Sequence, residues 1–240
     1  PDDGVLIVNN DSPGVQLFLS ILGDVPFAII KYGVTAKNDS IILNSYIVME
    51  GKTTFSIRGL TDSEITFTTD LVGLHNISNL CAIIALAKIL RITPEIIQDM
   101  LDTFKGVGRR FELIKEKRGV KLYNEYAHNP MAVKAVLDGA RTKFPQSRIW
   151  AIFQPHMYTR TKMFINEYAN SFRSSNEVVV LDIYASREEG LPIAQEINSQ
   201  ILADRIEKEN PQLHVRAISE VEKVVSTLVV ELKPGDVVIN

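Results

Sequence analysis

The stretch Phe153-Gln154-Pro155-His156-Met157-Tyr158-Thr159-Arg160-Thr161 sets an imidazole, a phenol, a hydroxyl and a guanidinium between an apolar strand-like run and a helical pattern. A strand end feeding a helix start with such donors binds anions, because backbone N–H groups and a planar cation converge there. That reading outweighs a solvated loop. A second junction of the same kind is Tyr126-Ala127-His128-Asn129-Pro130. A lone His at such a turn is more often a surface or capping residue, so His128 gains weight only from its surroundings. A third group, Gly73-Leu74-His75-Asn76-Ile77-Ser78-Asn79, opens a helix. Asn76 or Ser78 can simply cap that helix. Alternatively Asn76 and Asn79, three apart on one face close to His75, can hydrogen-bond a purine edge.

Composition limits what these groups can serve. The 240 residues carry 26 Lys+Arg against 29 Asp+Glu, a net charge of −3, with 45% hydrophobic and 23% charged residues. Such a chain folds around a real core and has no overall positive field for nucleic acid or an anionic membrane. Any anionic ligand must be met locally. No apolar stretch is long enough to span a bilayer and no signal-like segment opens the chain, so a soluble, cytoplasmic protein is expected. The single cysteine, Cys81, excludes an internal disulfide or a Cys-based zinc cluster and reads as a buried core residue.

Two nucleotide motifs are missing. Gly51-Lys52-Thr53 has Tyr46 where a phosphate loop needs glycine, and it lies between strand-like runs, so it reads as a hairpin turn with a solvated lysine. No Gly-x-Gly-x-x-Gly follows a strand, which disfavours a nicotinamide oxidoreductase.

The elements that must position these groups fall into two sets. Strand-like runs at Gly4 to Val8 and Phe27 to Tyr32 flank a helix from Pro13 to Gly23, and alternating runs Ile41 to Val48, Thr53 to Arg58 and Glu64 to Thr69 predict a β-meander. Helices follow at His75 to Ile92 and from Thr93-Pro94-Glu95 to Lys105, with Thr93 as N-cap. Gly106-Val107-Gly108-Arg109-Arg110 reads as a hinge, dividing the chain into residues 1–108 and 109–240.

Beyond the hinge the rhythm is β/α. Strands at Lys121 to Tyr126, Arg148 to Phe153, Val178 to Tyr184, His214 to Ile218 and Asp236 to Ile239 alternate with helices near Met131 to Phe144, Thr161 to Ser174, Ala194 to Lys208 and Ser219 to Leu232. This predicts an α/β fold with a Rossmann-like, mostly parallel sheet and helices on both faces. Ligands then gather at the C-terminal strand ends, in loops Tyr126 to Pro130, Gln154 to Thr161 and Tyr184 to Gly190. The first two are expected to leave adjacent strands and to set His128, His156 and Arg160 around one cavity. A start at Pro1-Asp2-Asp3 without Met and an end in Val237-Val238-Ile239-Asn240, a strand still in progress, suggest part of a longer chain.

Taken in order, Gly73 to Asn79, Phe104-Lys105-Gly106-x-x-x-Arg110-Phe111-Glu112, Tyr126 to Pro130 and Phe153 to Thr161 resemble the Mur ligases, closest to their alanine-adding branch. The resemblance runs from Val8-Asn9-Asn10-Asp11 to Pro234-Gly235-Asp236-Val237-Val238. It implies a fragment: the latter part of a central ATPase domain and a C-terminal domain truncated at its end. The UDP-sugar domain, the phosphate loop and the upstream magnesium-binding residues have no counterpart, so the chain alone is expected to be inactive.

The implied parent is an ATP- and magnesium-dependent ligase of peptidoglycan precursor synthesis that joins L-alanine to UDP-N-acetylmuramate through an acyl phosphate. In that reading His75, Asn76 and Asn79 approach adenine, Arg110 reaches across the hinge toward phosphate, and Glu125, where the family usually has Asp, bonds the ribose. Tyr126, His128, His156 and Arg160 contact the alanine or the sugar-linked carboxylate, with His128 and Arg160 catalytic and no metal ligand among them. Met157 stands where the branch usually has Arg, Asn129 replaces the second His of a His-His-Pro, and Asn124-Glu125 stands for Asp-Asp. Sister ligases, such as cyanophycin and folylpolyglutamate synthetases, and a non-catalytic module that kept the fold are the rival readings.

Overall fold

The computed structural model describes residues 4–35 and 40–240. It divides into two compact units, Pro1–Lys105 and Gly106–Asn240.

Unit 1 is a five-stranded mixed sheet in the order β1-β2-β3-β4-β5. β1 (Val5–Asn9), β2 (Ala28–Gly33) and β3 (Ile41–Met49) run parallel, and β4 (Lys52–Arg58) and β5 (Ile65–Thr69) complete an antiparallel meander. Glu50 and Gly51 both have positive φ, 51° and 79°, as a tight hairpin turn demands, and Lys52 follows as an exposed strand residue beside Asp70. Gly51-Lys52-Thr53 is therefore a hairpin. α1 (Pro13–Ile21) crosses from β1 to β2, and α2 (Leu74–Ile89) and α3 (Pro94–Thr103) follow the meander. The core gathers Ile41, Phe55, Ile57 and Phe67 of the sheet with Ile77, Leu80, Cys81 and Ile84 of α2. Cys81 is fully buried, and burial pushes its thiol up to about 12, which makes it inert as a nucleophile.

Unit 2 is a six-stranded sheet in the order β10-β9-β8-β11-β7-β6. β7 (Val120–Asn124), β8 (Ile149–Phe153), β9 (Glu177–Val180), β10 (His214–Ala217) and β11 (Val237–Ile239) are parallel; β6 (Glu112–Lys117) pairs antiparallel with β7. α4 (Pro130–Lys143), α6 (Ile165–Ala169) and α7 (Ser199–Glu209) pack one face around Phe153, Tyr168 and Phe172, while α8 (Val221–Glu231) covers Trp150 and Val238 on the other. The sheet thus carries helices on both faces.

Four details differ from the sequence reading. The loops after β7 and β8 do not leave adjacent strands, because β11 lies between them and pairs with both. β6 has every residue exposed and no alternation, so its sequence carries no strand pattern. The helix expected over Thr161 to Ser174 is broken at Phe164 into α5 (Tyr158–Met163) and α6, and α7 begins at Ser199 because Pro192–Gln195 forms a separate 3-10 turn.

At the N-terminal strand ends Asp236, just before β11, accepts from Arg148 Nε and Nη2 at 3.2 and 2.6 Å and from the Lys233 N–H at 2.8 Å. The guanidinium groups of Arg148 and Arg216 sit 5.0 and 5.3 Å from the ring centroid of buried Trp150. This end is built for stability.

Candidate functional site

The opposite end of unit 2 is an open cleft of about 480 Å³. Its walls come from the ends of β7, β8, β9 and β11: Glu125, Tyr126 and His128, then Gln154, His156 and Arg160, then Leu181 and Tyr184, then Asn240. His128, His156 and Arg160 therefore share one cavity although their loops leave strands that are not neighbours.

Glu125 follows the last residue of β7, and its N–H donates to the Asn240 carbonyl at 2.6 Å. Its side chain is 6% exposed; Oε2 accepts the Phe111 N–H at 2.8 Å, and Oε1 has no hydrogen-bond partner, with Arg110 Nη1 at 3.6 Å. Burial pushes this carboxyl up, against the pull of the Phe111 N–H and Arg110. The turn carrying Arg110 is strained: Arg109 and Phe111 both have left-handed backbones, at φ 60° and 49°. Phe111 compensates by stacking on Tyr123 at 4.3 Å, and the Arg109 carbonyl accepts from the Tyr126 N–H. The Tyr126 ring faces both cations, Arg109 at 4.9 Å and Arg110 at 5.6 Å.

His128 lies edge-on to Tyr126 at 5.2 Å, and its Nδ1 is 3.1 Å from the Tyr126 carbonyl. A proton on Nδ1 donates to that carbonyl and leaves Nε2 free to accept one. Buried Tyr168 donates its hydroxyl to the His128 carbonyl at 2.8 Å, fixing the loop from below. Asn129 is the N-cap of α4, its Oδ1 accepting the Ala132 N–H at 2.9 Å. An imidazole would serve that place less well, which gives Asn129 a structural reason.

His156 Nδ1 and Arg160 Nη1 are buried with no hydrogen-bond partner. Both residues line the cleft; the Arg160 N–H is a donor that asks for an acceptor, and the His156 nitrogen donates or accepts according to its tautomer. The chemistry they fit is a carboxylate or phosphate.

In unit 1 the residues near the start of α2 do not cap it. The N-cap is Gly73, whose φ of 101° suits glycine, and the Asn76 amide donates back to the Val72 carbonyl at 2.9 Å. Asn79 is exposed on the same helix, and Ser78 meets Asn9 at the end of β1. Sequence reasoning missed Glu188, whose carboxylate holds Thr159 from a neighbouring loop. Its position in a Gly-flanked polar run gave no periodic signal.

Residues 109–240 match the Mur ligase glutamate ligase domain, and residues 1–87 match the Mur ligase middle domain. The chain belongs to the Mur ligase family. Among Mur ligases it is 33% identical over 240 residues to the UDP-N-acetylmuramate–L-alanine ligase of Alkaliphilus metalliredigens, covering all of this chain and 50% of that one. The UDP-N-acetylmuramate-alanine ligase of Thermotoga maritima superposes with a TM-score of 0.70 at 20% identity over 88% of this chain and 43% of that one. The MurF ligase of the same organism, solved with ADP, gives 0.69 at 19% identity over 99% and 49%. The chain spans about half the length of the relatives it matches. Among the described residues no helix is long and apolar enough to cross a membrane.

Proposed function

We propose that this Mur ligase chain supplies nucleotide- and acceptor-binding surfaces of an ATP-dependent ligase that joins L-alanine to UDP-N-acetylmuramate through an acyl phosphate, in peptidoglycan precursor synthesis. The observation that carries it is the pair of unpaired buried nitrogens, His156 Nδ1 and the Arg160 Nη1 donor, on two residues lining the cleft that also holds the buried carboxylate of Glu125. The named relatives support the choice of substrate.

In this reading Arg160 and His156 hold the substrate carboxylate, with Tyr126 beside them. His128, oriented by the Tyr126 carbonyl, takes the proton that the attacking amine must lose. Glu125 fits the ribose of ATP, since its Oε1 lacks a donor and a sugar hydroxyl supplies one. Arg110, largely in water beside it, is placed for phosphate charge. Within unit 1, Asn76 spends one amide proton on Val72 and keeps its other proton and its oxygen for adenine, with His75 and Asn79 close in sequence. Among the described residues no group of three or more His, Cys, Asp or Glu is placed to hold a metal ion.

The test is phosphate release by a protein of the relatives' length that contains this chain, given ATP, magnesium, UDP-N-acetylmuramate and L-alanine. Turnover on the order of 10 per second is expected. Turnover only with another amino acid moves the assignment to a sister ligase, and none with any amine supports a binding module. The 240 residues alone should not turn over, because no phosphate-loop motif occurs in them.

A further inference from the structure

The wall of the cleft that carries His156 and Arg160 is held only in part by its own residues, through Thr161, whose hydroxyl and N–H donate to the Met157 carbonyl at 2.8 and 3.1 Å. α5 starts at Tyr158 after Met157, whose backbone lies at φ 72° and whose side chain makes no cap bond. A helix start leaves its first N–H groups unpaired, and a Ser, Thr, Asp or Asn at the cap usually answers one of them. A thioether is too weak an acceptor for that task.

The missing acceptor arrives from another loop. Glu188 closes a 3-10 turn, Ser186–Glu188, and is 5% exposed. Its Oε2 accepts the Thr159 N–H at 3.0 Å and its Oε1 accepts the Thr159 hydroxyl. The same two loops are stitched by the backbone: the Met157 N–H donates to the Tyr184 carbonyl at 2.9 Å, and the Tyr184 N–H to the Pro155 carbonyl at 2.8 Å. The rings of His156 and Tyr184 are 5.3 Å apart.

We propose that Glu188 is a positioning residue of the cleft, a cap supplied from outside α5 that fixes where His156 and Arg160 present their unpaired nitrogens. This rests on the reading that the cleft holds the substrate carboxylate. Glu188 does not line the cleft, so its influence passes through Thr159 and the first turn of α5. A carboxylate suits the place better than an amide because two donors converge on it and both favour negative charge. The Thr159 hydroxyl and backbone hold this carboxyl below the usual range, so it stays ionised at neutral pH. The loop after β9 thereby sets the geometry of the loop after β8.

The test uses Glu188→Ala, Glu188→Gln and Thr159→Val in the full-length ligase, with both Michaelis constants, the melting temperature and hydrogen exchange of segment 156–163 read together. Losing a cap and loosening the arginine behind it is expected to raise KM for the carboxylate substrate about tenfold in Glu188→Ala, with KM for ATP within about twofold. Glu188→Gln and Thr159→Val each keep one of the two bonds and should fall between. Thr159→Ser keeps the hydroxyl and should match the wild type. Adding Thr159→Val to Glu188→Ala should raise that KM no further, since both act through one contact. A purely structural role lowers the melting temperature and leaves both constants unchanged, and that result overturns the proposal. If the wild type forms no amide, the functional reading fails by itself and exchange decides for Glu188: segment 156–163 opening about tenfold faster in Glu188→Ala supports positioning, and unchanged protection overturns it.

Discussion

Arg110 Nη1 stands 3.6 Å from Glu125 Oε1, with the guanidinium 55% exposed and the carboxylate 6% exposed. A cation that keeps most of its water cannot repay the desolvation of its partner, which is why Glu125 titrates above the ordinary carboxylate range.

The sign of the stability effect follows. Between the ordinary pKa and the raised one, the folded state binds more protons than the unfolded, so stability falls as pH rises through that window and is flat above it. Glu125→Gln removes this loss. Urea unfolding of the chain should show the variant no less stable than wild type at pH 7 and less pH-dependent in the weakly acidic range. If Glu125 holds the ribose as proposed, the same change in the full-length ligase should raise KM for ATP by roughly tenfold, the worth of one charge-assisted hydrogen bond. A clear fall in urea midpoint at pH 7 would contradict the argument.

If Arg160 grips the substrate carboxylate as proposed, Arg160→Ala removes a charge-assisted pair worth about 1.5 to 3 kcal/mol. That corresponds to about 10- to 100-fold in KM for the carboxylate substrate, with KM for ATP little changed. Arg160 as a solvated helix-start residue would instead cost under about 0.5 kcal/mol of stability and no affinity. Met157→Arg, which supplies the cation that the resemblance to the alanine-adding branch leads one to expect there, should tighten that substrate. A change of preferred amino acid would reassign the pocket.

Limited trypsin digestion should cut first after Lys105. Gly106 and Gly108 give the segment backbone freedom, whereas Arg109 and Arg110 are tied into unit 2 through the Glu112 carboxylate, the Tyr126 N–H and Glu125. We propose that this is the boundary between two domains. First cuts within Met131 to Tyr184 would refute it.

Asp236→Ala takes from Arg148 the carboxylate that accepts two of its bonds, leaving Glu177 at 3.7 Å and the Glu231 carbonyl at 2.6 Å. The expected cost is about 3 kcal/mol in urea unfolding, the lower end for a buried pair that loses one member, because Arg148 keeps some contact with water. Replacing both by apolar residues, Arg148→Met with Asp236→Leu, should recover more than half of that loss.

The elements with strong periodicity were legible in the sequence. The meander reads as three strand-like runs separated by turn residues, and β8 and β9 are apolar runs that a sheet covered on both faces explains. β6 was not, because an edge strand blunted by Lys and Glu carries no alternation. The break at Phe164 has neither proline nor glycine to announce it. The candidate residues His128, His156 and Arg160 could be picked out because each stands at a strand end, where chemistry in such folds collects. Glu188 could not, since its partner is 29 residues away and the contact exists only once two loops are zipped together.

The placement of β11 has a consequence for synthesis. β7 and β8 are made long before residues 237–239, yet in the finished sheet they do not touch each other; the later strand fills the gap between them. A nascent chain that has not yet released Val237 from the ribosome therefore presents two unpaired strand edges at what will become the middle of the sheet. Such edges pair readily with another copy, so this interval is exposed to aggregation. The cleft has its walls on both sides of that gap, and it comes into being only when β11 is laid in.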